Sequence, residues 1–390
     1  MIKNILFDLY TPQLCKGGAA EYIRKVYFAL ASEIESHSYN VNLFALVDNS
    51  IGFNYQDLSP VCLNEMGVTI VDIHGKTLGA VIDEKKIDKV FIGAAQYWGM
   101  HLDVSNIECP VVCVIHDLMD EEFAISNMRE YMLLDNPYKY IHFKCGEIWR
   151  KLNRRCVGVK RMAPIMDLYN RNPKCHFVVV SQYSLNTLQY HFDVNPERVS
   201  VLYSPERISI VDDTIQDVAL QNLCESGKKY YLMLNANRFM KNPEKVISAF
   251  KRYVETSKND EYLVTVGYRK SLYDRHIVLS YLSESDLSHV IRNSYALIFP
   301  SIFEGFGYPP LEAMRFGKPV LASNVTSMPE ILGNAPIFFS PIYESDIFRA
   351  LNMLNESNYK LYSEKSANRY KEIVETQHND IAGLIQLILE

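Results

Sequence analysis

Several things are missing from this 390-residue sequence, and each absence narrows its function. No stretch reaches about 18 uninterrupted apolar residues, so none is expected to span a bilayer as a helix. The opening MIKNILFDLY carries Asp8 and has neither a long apolar region nor a cleavage signal. It reads as a first strand and not as a secretory leader. There is no CxxC pair. The eight cysteines (15, 62, 109, 113, 145, 156, 175 and 224) are scattered, and Cys109 and Cys113 flank an apolar run that suits small buried hydrophobes better than metal ligands. A reduced, cytoplasmic compartment is expected. No internal repeat or low-complexity tract is present. A net charge of −6 argues against nucleic acid as the main partner.

The length exceeds a typical single core, so two domains of about 150–200 residues are expected. Short β-branched or aromatic runs alternate with longer helical patterns. The strand candidates are Asn4–Leu9, Val41–Leu46, Lys89–Gly93, Val111–Ile115, Phe177–Ser181 and Val199–Leu202, then Tyr230–Leu234, Tyr262–Val266, Ala296–Pro300 and Pro319–Ala322. Strands separated by helices imply βαβ units and parallel sheets, here two doubly wound α/β domains. The polar, acidic stretch between Ser204 and Lys229 marks the boundary. This gives a first domain over 1–205, a linker over 206–228, a second domain over 229–366, and a final helix over 367–390 that either caps the second domain or crosses back onto the first.

Ligands of doubly wound sheets bind beyond the carboxyl ends of the strands, so the turns there deserve the closest reading. In TPQLCKGGAAEY, Gly17 and Gly18 let the backbone approach a ligand and open a helix whose amides could face an anion. The full GxGxxG is absent, and a flexible strand–helix turn explains the pair equally. His116 and Asp117 directly follow the apolar run PVVCVI, where reactive groups gather, although a lone histidine is more often structural. In LNANRFMKNPEKVISAF, Arg238 and Lys241 lie in a turn, with Asn242 as N-cap and Pro243 at N1. Two cations beside a helix N-terminus can hold a diphosphate, while a solvated turn is the plain alternative.

The fourth turn is the most specific. After Ala296–Pro300, Gly305 and Gly307 free the backbone so that amides from Phe306 to Tyr308 can point at a phosphate. A short helix is expected from Pro309 or Pro310, ended by Gly317. Glu304 precedes that helix and Glu312 lies in its first turns, so both can face one cleft and accept vicinal sugar hydroxyls. A helix-dipole role for Glu312 would account for under ~1 kcal/mol and for neither glycine.

EGFGYPPLEAMRFGKPVLASNVTSMPE resembles the E-x7-E motif of retaining glycosyltransferases of family 4, which have the GT-B architecture of two Rossmann-like domains facing each other across a cleft. KGGAAEY, VVCVIHDL, VVVSQYSLNTLQYHFDVNPERVSVL and FMKNPEKVISAF fall in the same order. The resemblance is strong over about 229–345 and patchy over 48–105 and 120–172. It implies catalytic roles for His116, Glu304 and Lys241, with Glu304 at the donor sugar. It implies donor binding by Gly17, Gly18, Arg238, Lys241, Gly305, Phe306, Gly307, Tyr308 and Glu312, the last at the ribose. The family commonly carries an arginine five or six residues before the lysine or immediately before it. Here those places hold Ala236, Asn235 and Met240, and the arginine is Arg238.

The implied reaction moves a sugar from a nucleoside-diphosphate sugar to a glycan or lipid-linked acceptor in bacterial surface polysaccharide synthesis. Retention would follow front-face attack, with the leaving phosphate taking the acceptor's proton. Charge developing on the diphosphate is what fixed cations and helix amides stabilise. The sequence contains no D-x-D, so no metal or other cofactor is expected. Between Lys139 and Arg161 stand eight Lys/Arg against one acid, interleaved with Tyr140, Phe143 and Trp149. Such a surface suits docking on anionic lipid at the inner face of the cell membrane, while a solvated helix or a subunit contact is the alternative. The competing functions are another GT-B enzyme such as an epimerase, and a non-catalytic sugar-nucleotide-binding partner subunit of a transferase complex.

Overall fold

The computed structural model describes residues 2–37, 39–125, 141, 144–145, 162–207, 214–257 and 260–390. The basic stretch 139–161 therefore lies outside the described residues, apart from Ile141, Lys144 and Cys145. Two compact units are present. The first comprises Met1–Pro205 with Gln377–Glu390, and the second Glu206–Thr376.

The first unit holds strands β1 (Lys3–Asp8), β2 (Val41–Val47), β3 (Thr69–Asp72), β4 (Lys89–Ile92), β5 (Val111–Ile115), β6 (Cys175–Val179) and β7 (Val199–Val201). The second holds β8 (Tyr230–Met233), β9 (Tyr262–Val266), β10 (His276–Leu279), β11 (Ala296–Phe299), β12 (Val320–Ser323) and β13 (Ile337–Phe339). The helices that shape the sites are α1 (Gly18–His37), α2 (Met119–Ile125), α3 (Gln182–His191), α4 (Pro243–Ser257), α5 (Glu284–Arg292), α6 (Tyr308–Arg315) and α7 (Glu356–Leu389).

Each sheet is parallel and doubly wound. The orders are β3-β2-β1-β4-β5-β6-β7 and β10-β9-β8-β11-β12-β13. Both reverse direction beside their first strand, between β1 and β4 and between β8 and β11. Helices cover the faces of such sheets, so inner strands read as unbroken apolar runs. Every residue of β5 (VVCVI) and of β11 (ALIF) is buried accordingly. Helix α1 buries Ile23, Val26, Tyr27 and Leu30, a spacing that puts one stripe on the core.

Three strands went unanticipated. Of these, β3, β10 and β13 have only three or four residues, and β3, β10 and β13 are the edge strands of their sheets on those sides. Their burial is mixed, so they lack the unbroken apolar run of an inner strand. Several expected strands also run one or two residues too far. Ser181, expected at a strand end, instead caps α3, its side chain accepting from the Ser184 amide at 3.1 Å.

The segment Glu206 to Lys228 is not a bare linker, because it contains a helix Val218–Glu225 capped by the Asp217 side chain. At the far end of the chain, α7 is a single helix of 34 residues. Its Glu356–Thr376 part belongs to the second unit and the part from Gln377 to the first. There Gln377 donates to the Ser204 carbonyl at 2.6 Å, Asp380 accepts from the Tyr203 amide at 2.7 Å, and Lys89 donates to the Leu387 carbonyl at 2.7 Å. Among the described residues, no helix is long and apolar enough to cross a membrane.

Close approach of α1 to the sheet depends on Gly93, just past β4. A Cβ there would lie 2.3 Å from Ile23 Cγ1 and 2.7 Å from its Cδ1. Gly93→Ala is expected to destabilise by about 1–3 kcal/mol through overpacking. Ile23→Ala removes the colliding carbons, so the double variant should cost less than the sum of the two single changes in chemical denaturation. Strictly additive costs would show that the collision is not what Gly93 avoids.

Candidate functional site

In the second unit, the switch point between β8 and β11 brings two loops together. The backbone amide of Ile302 donates to the Met240 carbonyl at 2.9 Å, which ties the loop after β11 to the turn after β8. Lys241 ends that turn and is 9% exposed. Its ammonium forms an ion pair with Glu304 Oε1 and stands 4.7 Å from the centre of the Phe299 ring. The Ser301 hydroxyl donates to the same Glu304 oxygen at 2.5 Å. The main chain of Glu304 is held as well. Its amide donates to Thr326 Oγ1 at 3.1 Å, and its carbonyl accepts from the Ser327 hydroxyl at 2.9 Å.

Helix α6 begins immediately after this cluster. Gly307 precedes it with φ +94°, a left-handed conformation, and a Cβ there would lie 2.3 Å from Met328 Cε. The left-handed backbone favours glycine, and any larger residue would also have to displace the Met328 methyl. Of the expected pair, Gly307 and not Gly305 takes the left-handed backbone. The helix starts at Tyr308, just before the Pro309 or Pro310 expected, with both prolines in its first turn. It ends as the sequence suggests: Gly317 has φ +63°, its amide donates to the Met314 carbonyl, and the Lys318 amide donates to the Ala313 carbonyl. That pair of bonds is the Schellman pattern.

Glu312 sits in α6 and is buried, 7% exposed. Burial raises its pKa above the ordinary value, and the Arg207 guanidinium, 3.0 Å away, opposes that shift. Arg238 is exposed in the turn before Lys241. Asn242 is not the extended N-cap expected; it adopts φ +52°, and its side-chain amide donates to the Pro341 carbonyl at 2.8 Å. Thr326 also has a positive φ, +54°, rare and strained for a β-branched residue.

The first unit has its own switch-point cluster. Asp8, at the carboxyl end of β1, is fully buried and accepts from the Thr11 amide (2.9 Å), the Thr11 hydroxyl (2.8 Å) and the Gly93 amide (3.0 Å). Burial raises its pKa against those bonds. His116 follows β5, and its Nε2 lies 2.9 Å from the Gly93 carbonyl oxygen. A carbonyl only accepts, so Nε2 carries the proton and Nδ1 is left as an acceptor. Burial lowers the pKa of His116 to about 4. Gly17 has φ +133°, and Gly18 opens α1, whose Tyr22 ring stands edge-on to His116 at 4.8 Å. The glycine turn and the histidine thus share one corner of this unit.

Within the second unit, the structure joins Lys241 to Glu304 and sets Gly305 to Tyr308 at the start of α6, while Arg238 makes no part of that ion pair. Sequence reading missed Arg207, Ser301 and Thr326. Arg207 stood in a stretch taken as linker, and a serine or threonine between strand and helix has many ordinary uses.

His276 is a second histidine whose pKa burial lowers to about 4. Its Nδ1 accepts from the Leu272 amide at 3.2 Å and its Nε2 meets Thr265 Oγ1 at 2.9 Å. Both imidazoles bind protons more weakly in the fold than at their ordinary 6.5. Their contribution is whole above that value and is lost as pH falls toward about 4, because the unfolded chain takes up protons first. Denaturation measured across that window should lose stability on acidification. His116→Gln and His276→Gln should each flatten the slope, and an unchanged slope in both would show that neither imidazole is held neutral.

Residues 220–372 match the family described as Glycosyl transferases group 1. The chain is 34% identical over 276 residues to a serotype-specific mannosyltransferase, WbdA of Escherichia coli, covering 69% of this chain and 32% of that protein. It is 27% identical over 172 residues to the O-antigen chain mannosyltransferase RfbU of Salmonella typhimurium, covering 43% of this chain and 48% of that one. The chain thus spans about a third of the length of the WbdA relatives it matches. Among solved structures, HepE of Anabaena in complex with UDP-glucose aligns over 98% of this chain and 99% of its own, with TM-score 0.63 and 14% identity. That likeness shows the fold, two Rossmann-like units of the GT-B class. Residues 220–372 form a domain of the glycosyl transferases group 1 type.

Proposed function

We propose that the chain is a retaining, metal-independent glycosyltransferase that moves a sugar from a nucleoside-diphosphate sugar to a glycan or lipid-linked acceptor in surface polysaccharide synthesis. The observation that carries this reading is the Lys241–Glu304 pair at the β8/β11 switch point, next to the N-terminus of α6. A largely buried ammonium needs an anion beside it. With no ligand, Glu304 serves. A diphosphate placed between Lys241 and the amides of Gly305 to Tyr308 would take over part of that role and leave Glu304 to accept donor-sugar hydroxyls. Charge that builds on the leaving diphosphate would meet a fixed cation and oriented amides already in place, which lowers the barrier for departure.

The remaining roles follow the same chemistry. Glu312 would bind ribose hydroxyls, and exposed Arg238 is free to swing onto the phosphates. His116 offers Nδ1 to a sugar hydroxyl as an acceptor, and a pKa of about 4 makes it a hydrogen-bond partner and not a proton donor near neutrality. With front-face attack, the leaving phosphate takes the acceptor's proton, so no further base is needed. The two mannosyltransferase relatives make a mannosyl donor the first to test. The charge pattern of 139–161 further supports docking on anionic lipid, which liposome co-sedimentation would read as a dependence on anionic headgroups.

The test is a thermal-shift and turnover panel of nucleotide sugars against wild type, Lys241→Ala and Glu312→Ala. A cognate donor should raise the unfolding midpoint of wild type. Glu312→Ala should weaken nucleotide binding, and Lys241→Ala should depress turnover more than donor affinity, by about 100-fold or more as expected for removing a group that stabilises transition-state charge. Equal activity of both variants and wild type on a competent substrate pair would end the assignment.

A further inference from the structure

Arg207 lies at the start of the second unit, two residues past Pro205. One guanidinium nitrogen is 3.0 Å from Glu312 Oε1 and the other 3.7 Å from Glu284 on α5. The side chains of Arg207 and Glu312 are 24% and 8% exposed. The segment that delivers Arg207 is itself anchored, because the Tyr370 hydroxyl of α7 donates to the carboxylate of the adjacent Glu206. We propose that Arg207 is a positioning residue for the nucleotide: it keeps the Glu312 carboxylate charged and oriented so that it can accept two vicinal hydroxyls of a nucleoside diphosphate.

This rests on the donor-site reading above and adds a residue to it. An ionised carboxylate accepts hydrogen bonds from a diol at both oxygens, whereas a protonated one must donate one of its own. Burial of Glu312 works toward its neutral form, and a close cation opposes that. Four charged or titratable groups bear on it: Arg207 from the preceding segment, Glu284 from α5, Arg315 from its own helix and Tyr370 from α7. Glu284 works against ionisation and Arg315 for it, but Arg207 is the cation that also hydrogen-bonds the carboxylate. A buried pair of this kind contributes little net stability by itself, so its presence on α6 favours a role in binding.

The test measures UDP and GDP binding by calorimetry between about pH 6 and pH 9, a window that spans neutral operation, for wild type, Arg207→Gln, Arg207→Lys and Glu312→Gln. Unfolding midpoints identify any variant that is merely unfolded. For whichever nucleotide wild type binds, each variant is compared with wild type at the same pH, because the terminal phosphate of the ligand itself titrates at about pH 6. Relative to wild type, Arg207→Gln should bind about tenfold or more weakly, the effect of losing a charged hydrogen-bond partner, and the deficit should be larger toward the acid end, because the carboxylate has lost the cation that opposes its protonation. Arg207→Lys should restore most of the affinity. Glu312→Gln should be weak at every pH. An Arg207→Gln protein that binds as tightly as wild type at every pH, or more tightly, would overturn the role of Arg207. If Glu312→Gln also binds like wild type, the donor-site reading falls instead.

Discussion

Everything in the second unit's site depends on a charge pair that the fold has to keep nearly dry. Lys241 and Glu304 come from loops that follow different strands, and taking both out of water costs several kcal/mol each unless neighbours compensate. The compensation is visible. The ammonium lies over the Phe299 ring, and the Ser301 hydroxyl joins it on Glu304 Oε1. Serine and threonine hydroxyls after β12 then fix the backbone of Glu304 from both sides. Thr326 does so from a left-handed conformation that costs about 1–3 kcal/mol. Its hydroxyl accepts from the Glu304 amide and donates to the Val325 carbonyl, which gives a physical reason for the strained backbone to persist.

The first unit meets the corresponding problem without a cation. Asp8 is fully buried at the β1/β4 switch point and is held by two amides and one hydroxyl. Gly93 is central because its amide serves Asp8, its carbonyl serves His116, and its missing side chain admits Ile23. One residue thereby fixes a carboxylate, an imidazole tautomer and the seat of a helix. The two sheets share a winding pattern, yet one uses its switch point for an ion pair and the other for a carboxylate held by amides and a hydroxyl.

The fold was most legible in the sequence where strands were buried on both faces. VVCVI and ALIF are buried at every residue, whereas β3, β10 and β13 are edge strands of mixed burial that took shape from pairing with an inner neighbour. In the site, Gly307 and Gly317 could be placed because left-handed backbone leaves a residue-type signature. Lys241 and Glu304 were identifiable by position, but not as partners, since 63 residues separate them and only the sheet brings them together. Arg207 had no local signal, because its significance comes from Glu312, 105 residues further on. Asn242 was misjudged for the opposite reason: an Asn-Pro pair is a sound capping signal, and a distant carbonyl, that of Pro341, engaged its side chain.

The assignment of Gln377–Glu390 to the first unit bears on the order of synthesis. As the chain emerges from the ribosome, the strands of the first sheet appear early, but the helical segment that binds Ser204, Tyr203 and Lys89 appears only after the whole second unit. Domains generally fold as units during synthesis, the amino-terminal one first. Here the amino-terminal unit waits for the last stretch of helix, so the second unit is the one that can be completed first. A nascent chain halted between the two would hold a finished second unit and an unfinished first one.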